Sequence, residues 1–282
     1  MGPLVVSRNP MVFEACERRF QLECADPRYR EVLQTVFAAL GDPEGPAQSP
    51  VTYLGRVTGG GDRAACLLES PGAPVRSIAS TAELIYEIDK DLTIALQRAR
   101  SDLLFLHAAV VALDGRALAL CGPSGVGKST TTFALLHHGF GYLSDELAPV
   151  DAVDGVVHPY AHALCLKSHP PAPYRLPAGV LDACETLHVP VAELPGSYAS
   201  KPMPLAAIVF LSRSSGGNSA HMPQLSAAAA CACMLSCALN SLAHRDQGVD
   251  AALSIARRVP SYALDVGDLP AAVDAVTAIR LR

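Results

Sequence analysis

Charge and aromatic rings are both scarce in this chain. Only 17% of its 282 residues are Asp, Glu, Lys or Arg, 5% are aromatic, and Trp is absent, whereas ordinary globular chains carry roughly a quarter charged residues. Half of the residues are apolar, so the bulk comes from Ala, Val and Leu. That hydrophobicity with a modest net charge excludes intrinsic disorder. No block of Lys and Arg occurs, and 22 basic against 27 acidic residues leave a net charge of −5. Phosphate backbones are gripped by clustered basic residues, so no nucleic-acid partner is expected. Long hydrophobic runs are missing too. The longest, Ala227–Leu239, is interrupted by Ser236 and falls short of the roughly 18 residues of a membrane span, so no membrane partner is expected. The start, Met1-Gly2-Pro3-Leu4, has no basic segment leading into an apolar one, which argues against a secretory signal. The nine cysteines are odd in number and irregularly spaced, unlike a disulfide framework. Cys231, Cys233 and Cys237 lack the C-x2-C spacing of a zinc site and read as small residues of a packed helix. A reduced, cytoplasmic setting fits them.

The first hundred residues read as a smaller α+β region. Tyr29, Val32, Leu33, Val36, Phe37 and Leu40 recur at helical spacing from about Pro27, and Gly41-Asp42-Pro43 stops that helix ahead of a loop to Pro50. Val51–Val57 and Ala64–Glu69 are strand candidates on either side of Gly59–Asp62. Ser80 with Glu83 three residues on is a capping box, opening a helix to about Arg100. Its stripe is Leu84, Ile85, Ile88, Leu92, Ala95, Leu96 and Ala99.

Residues 101–282 read as a second, α/β unit. The apolar run Leu103–Leu113, then Asp114-Gly115, then Arg116–Cys121 predicts a β-hairpin over 103–121, because Asp-Gly supplies the positive φ angles of a tight turn. Gly122-Pro123-Ser124-Gly125-Val126-Gly127-Lys128-Ser129 matches G-x-x-x-x-G-K-[ST] in full. Its glycines let backbone amides wrap phosphates, its Lys reaches the β- and γ-phosphates and its Ser can bind Mg²⁺. The context is right: a strand precedes it, and a helix follows over Ser129–His138, with Gly139 at the C′ position. Phe140–Ser144 then reads as a strand completing a right-handed βαβ unit. It ends in Asp145-Glu146, only 17 residues after Lys128. Acidic groups there serve Mg²⁺, or orient and deprotonate an attacking hydroxyl. Pro170–Pro177 and Ser214–Ser219 read as loops. Pro204–Arg213 reads as a buried strand. Tyr262–Val266 is a strand candidate, before a helix from Pro270 with Asp268 as N-cap.

From about His107 to Asp151 the chain closely resembles HPr kinase/phosphorylase and its relatives. His107, the Gly-Pro-Ser-Gly-Val-Gly-Lys-Ser-Thr loop, Gly139-Phe140 and Leu143-Ser144-Asp145-Glu146 carry the resemblance. It continues more weakly through His158-Pro159-Tyr160 to Leu166-Lys167, and resumes at Pro204–Arg213. The resemblance implies an α/β fold: a central mixed sheet, P-loop and flanking helices, related to the nucleotide-binding domain of phosphoenolpyruvate carboxykinase. Asp145-Glu146 stands where true HPr kinases usually carry two Asp, and their downstream Gly-rich signature is not found. In this the chain is more similar to the stand-alone kinases of lasso-peptide gene clusters, which phosphorylate the C-terminal Ser of a precursor peptide.

By this resemblance ATP and Mg²⁺ are the cofactors. Gly122, Ser124, Gly125, Val126, Gly127 and Lys128 cradle the phosphates. Ser129 and Asp145 hold Mg²⁺, and Thr130 lies near the α-phosphate. Asp145 or Glu146 handles the acceptor proton, and His107 faces the phosphates. Lys167 and Arg213 offset phosphate charge. The partner is a peptide or protein with an acceptor Ser, and the family's hexamers leave room for a homo-oligomer. Three alternatives stay open: an HPr-type protein serine kinase, a kinase of a small hydroxylated metabolite, and an ATP-binding switch module without transfer.

Overall fold

The computed structural model describes residues 10–40, 51–59, 66–213 and 221–281. The loops expected at Gly41–Pro50, at Gly60–Asp62 and at Ser214–Ser219 lie outside the described residues. A five-stranded sheet comes first, ordered β1 (Met11–Ala15), β2 (Arg18–Cys24), β3 (Val51–Gly59), β4 (Cys66–Glu69) and β5 (Arg76–Ile78). Helices α1 (Pro27–Phe37) and α2 (Thr81–Ala99) pack on it. The β1–β2 hairpin was not anticipated. Its apolar residues alternate, with Met11, Phe13 and Ala15 facing Phe20 and Leu22 in the core. Its turn, however, is Cys16-Glu17, at φ +47° and +59°, a pair without the usual Asn-Gly or Asp-Gly chemistry. Tertiary contact holds it: Arg100 donates from Nη1 to the Cys16 carbonyl at 2.8 Å.

The capping box at α2 takes a modified form. The Glu83 amide donates to Ser80 Oγ at 3.1 Å, but the Glu83 carboxylate reaches the Ala79 amide, at 2.6 Å, rather than that of Ser80.

The larger sheet has eight strands: β6 (Leu103–Leu106), β7 (Ala108–Leu113), β8 (Arg116–Cys121), β9 (Gly141–Ser144), β10 (Ala148–Asp151), β11 (Val156–Val157), β15 (Met203–Ser212) and β16 (Ser261–Asp265). Strands β12 (Leu164–Leu166), β13 (Leu181–Asp182) and β14 (Leu187–Val189) form a small third sheet. β8, β15 and β16 run parallel, and the other pairings are antiparallel, so the sheet is mixed. Both faces are covered. Leu118, Leu120, Val209 and Leu211 pack against α3 (Lys128–Leu136) and α6 (Leu269–Thr277). Ala117, Ala119, Ile208 and Phe210 pack against α4 (Ala227–Cys237) and α5 (Val249–Arg258). Strands buried on both faces read as continuous apolar runs.

That continuity hides one breakpoint. The run Leu103–Leu113 is two strands rather than one hairpin arm. β7 pairs with β8 through the Asp114-Gly115 turn as expected, but β6 turns away to pair with β10. His107 sits in the gap between them instead of on a strand, and its amide donates to the Cys237 carbonyl at 2.8 Å. The crossover β8–α3–β9 also has a twist. β9 starts one residue later than expected and is parallel to β8, but β7 lies between them, antiparallel to both. The two strand ends that bear the phosphate loop and Asp145 still point the same way. Asp268 caps α6, accepting from the Ala271 amide at 3.4 Å.

The N-terminal helices share a core with the larger unit. Leu33, Phe37, Ile88 and Leu92 pack in one cluster with Leu103, Phe105, Leu147, Tyr160 and Ala163.

Candidate active site

The phosphate loop leaves β8 at Gly122, wedged against β15. A Cβ on Gly122 would lie 2.9 Å from the Leu211 carbonyl oxygen, so no side chain fits. Gly127, at φ +120°, is the N-cap of α3 and provides no side-chain capping bond. The first-turn amides of α3 are therefore without a side-chain acceptor, at the positive end of the helix, which is the arrangement that binds anions. Val126 is buried in the core and pins the loop. Lys128 is buried as well. Its Nζ donates to the carbonyls of Gly122 at 2.9 Å and Pro123 at 3.3 Å. Burial pulls its pKa down, and the Glu146 and Asp145 charges oppose that pull. Lys167, from the end of β12, reaches across to Ser124 Oγ at 3.1 Å.

β9 delivers the two carboxylates, and their surroundings differ sharply. Asp145 is fully buried. Its Oδ2 accepts the Cys165 amide at 3.0 Å, and Oδ1 is buried with no partner among the described residues. Burial, reinforced by the Glu146 charge, pushes its pKa up to about 7. Glu146 is half-exposed and lies 2.9 Å from His107 Nε2. Burial raises its pKa, but the His107 hydrogen bond and nearby positive charge outweigh burial and hold it below the usual range. The sequence could not divide the work between this pair. The environment separates them: Asp145 is raised toward the range in which a general base works best, while Glu146 is tied to His107.

A cavity of about 460 Å³ opens beside the α3 N-terminus. Gly127, Thr130 and Thr131 form its floor, and Arg213, Ser168–Ala172 and Val266–Pro270 form its walls. Arg213 was singled out by sequence; the Pro-rich loop after Lys167 read instead as a possible grip on the peptide and Asp268 as a helix cap, since their place beside the loop comes only from the fold. Within this lining His169 is the sole ring-bearing residue apart from prolines, so a base seated there meets chiefly apolar contacts from Val266, Leu269 and Pro171.

The histidines outside the loop separate. His137 and His138 pack with Tyr174 at the far end of α3. His188 is buried, with Nε2 at 2.9 Å from Thr186 Oγ1. His162, given no weight from sequence, sits beside the carboxylates and lowers the pKa of both electrostatically. Cys237 was read as ordinary helix packing. It is half-buried and packs against the core cluster that contains Cys121, as a packed helix residue does.

The donor set suits a nucleoside triphosphate with Mg²⁺. Mg²⁺ takes oxygen ligands, typically one or two carboxylates plus substrate phosphates. Here the Ser129 hydroxyl stands in the first turn of α3, whose amides are open, near enough to the Asp145 carboxylate to lower its pKa.

Among the described residues, no helix is long and apolar enough to cross a membrane. No family model matches the chain, and no curated protein matches it in sequence. Among solved structures, it is similar to the HPr(Ser) kinase/phosphatase from Coxiella burnetii at 13% identity, over 61% of this chain and 93% of that one, with a TM-score of 0.33. A superposition that loose adds no weight to the local geometry.

Proposed function

We propose that the protein is an ATP- and Mg²⁺-dependent kinase that transfers the γ-phosphate to a serine hydroxyl, most specifically on a ribosomal precursor peptide of the lasso type. The observation that carries the reading is the buried Asp145, with a raised pKa and an unpartnered oxygen, beside Ser129 and Lys128 of a complete phosphate loop. The peptide acceptor rests on the sequence resemblance.

In this reading the α3 amides and Lys128 bind the phosphates, and the triphosphate draws the Lys128 ammonium off the loop carbonyls. Ser129 would hold Mg²⁺, which neutralises charge developing on the phosphates and leaves Asp145 Oδ1 for the acceptor proton. Asp145 Oδ1 takes the proton of the acceptor hydroxyl as it attacks in line. His107 keeps Glu146 ionised and in place. Lys167, on Ser124 Oγ, and Arg213, beside Gly127, would each add positive charge toward the transferred group. The first hundred residues, or the Pro-rich loop after Lys167, would grip the acceptor.

Incubation with γ-labelled ATP and a Ser-terminated peptide is expected to label the peptide. Tight ATP binding without transfer to peptide, to HPr or to any small hydroxylated metabolite would overturn the kinase reading. Label on HPr or on a metabolite alone would overturn the peptide acceptor. Arg213 gives a separate check on the cavity. Arg213→Ala is expected to weaken ATP binding roughly tenfold, the equivalent of about 1.4 kcal/mol, without lowering Tm. Unchanged affinity in a calorimetric titration would move the nucleotide out of this cavity.

A further inference from the structure

The segment Tyr160–Lys167 touches the N-terminal helices at one end and the phosphate loop at the other. The Tyr160 ring is fully buried, and its hydroxyl donates to Asp89 Oδ1 of α2 at 2.9 Å. Its amide donates to the Leu143 carbonyl of β9 at 3.1 Å. Two residues on, His162 Nε2 lies 3.8 Å from the same Asp89 oxygen, while its Nδ1 is 2.9 Å from the Ala163 carbonyl. The His162 carbonyl accepts from the Tyr142 hydroxyl at 2.9 Å, and the Ala163 amide donates to Val36 of α1 at 2.7 Å. The next groups along are functional. The Cys165 amide is the backbone donor to Asp145 Oδ2, and Lys167 reaches Ser124.

Asp89 borders the apolar face of α2, with 22% of its side chain exposed. That helix turns Leu84, Ile85, Ile88, Leu92 and Leu96 into the core, and an apolar residue beside them would pack without loss. A carboxylate there is penalised by desolvation, which raises its pKa against the help of His162 and Tyr160. Here the purpose visible in the contacts is to fix Tyr160 and His162, and through them Cys165.

We infer that Asp89 and Tyr160 are positioning residues for phosphoryl transfer: by anchoring the Tyr160–Lys167 segment to α2 they hold the Cys165 amide on Asp145 and Lys167 over the phosphate loop. This rests on the kinase reading for its catalytic consequence, though not for its structural one. The N-terminal region is thereby a working part of the site, and an acceptor bound on it would act on Asp145 through this segment.

The test pairs Tyr160→Phe and Asp89→Ala with Asp89→Asn, which keeps an acceptor for the Tyr160 hydroxyl. The first two are expected to lower kcat roughly 10- to 100-fold, the scale of a small misplacement of reacting groups, with the KM for ATP within about twofold. Asp89→Asn should recover most of the rate. In the same variants, amide hydrogen exchange at Cys165 should accelerate at least about tenfold, while Leu120 in β8 stays protected. Wild-type exchange at Cys165, or an equal loss of protection at Cys165 and Leu120, would overturn the inference. If the wild-type protein transfers no phosphate, the kinase reading fails, and the exchange data still decide whether Asp89 positions Cys165.

Discussion

Asp145→Asn is expected to lose phosphoryl transfer by roughly 10²- to 10⁴-fold, the range attributed to a positioned general base, and to be more stable than the wild-type protein above pH 7. The two effects share one cause. Asp145 is fully buried with one oxygen unpartnered, and its folded-state pKa stands near 7 against an ordinary 3.8. Below about pH 4 the carboxyl is protonated in both folded and unfolded chains and is neutral toward stability. Between there and about pH 7 the unfolded chain ionises first, so stability falls as pH rises, and the deficit persists at higher pH. Its size is on the order of a few kcal/mol. Asn has no charge to desolvate and keeps an oxygen for the Cys165 amide, so Tm at pH 8 should rise while Tm at pH 4 stays level. The wild-type rate should fall as pH drops through about 7. Thermal unfolding at the two pH values, with a kcat/KM profile, tests this. An inactive variant with no stability gain would mean that burial does not set the Asp145 pKa. A variant that retains activity would transfer the base role to Glu146.

Lys128→Met is expected to reduce transfer by at least about 10²- to 10³-fold, the scale of removing one preorganised electrostatic contact, and to weaken ATP binding in parallel. The side chain is nearly inaccessible, and its ammonium rests on the Gly122 and Pro123 carbonyls. Met fills the same channel without charge, so the fold should survive and Tm should move by only a few degrees. Lys128→Arg should not restore activity, because the planar guanidinium presents a different donor geometry and needs more room than the channel offers. ATP binding by calorimetry and single-turnover transfer are the measurements. Wild-type binding in Lys128→Met would displace the triphosphate from the loop.

Some elements were legible because their determinants are local. The stripe of α2 and its Ser80 cap lie within one stretch of chain, and so do the Asp114-Gly115 turn and the start of α6 at Asp268. β1 and β2 were missed for the opposite reason. Their alternating pattern is visible, but Cys16-Glu17 becomes a turn only when Arg100, 84 residues away, holds its carbonyl. β6 was misassigned because apolar runs buried on both faces show no mark where one strand stops and the next begins. In the site, His162 carried no signal because its importance comes from neighbours on α2 and β9.

The sequence by itself determined the phosphate loop. Glycines for backbone geometry, a Lys and a hydroxyl occur in eight contiguous residues, and contiguous chain can only fold around an anion in a few ways. It also determined that a strand bearing two carboxylates follows closely. Only the tertiary structure decided which carboxylate has a raised pKa, since that depends on burial, on the His107 contact and on the Cys165 amide. The tertiary structure alone also built the cavity wall from Ser168–Ala172, Arg213 and Val266–Pro270, and brought Asp89 to the segment that holds Asp145. Dielectric environment and long-range contacts are properties of packing, and no local stretch of sequence contains them.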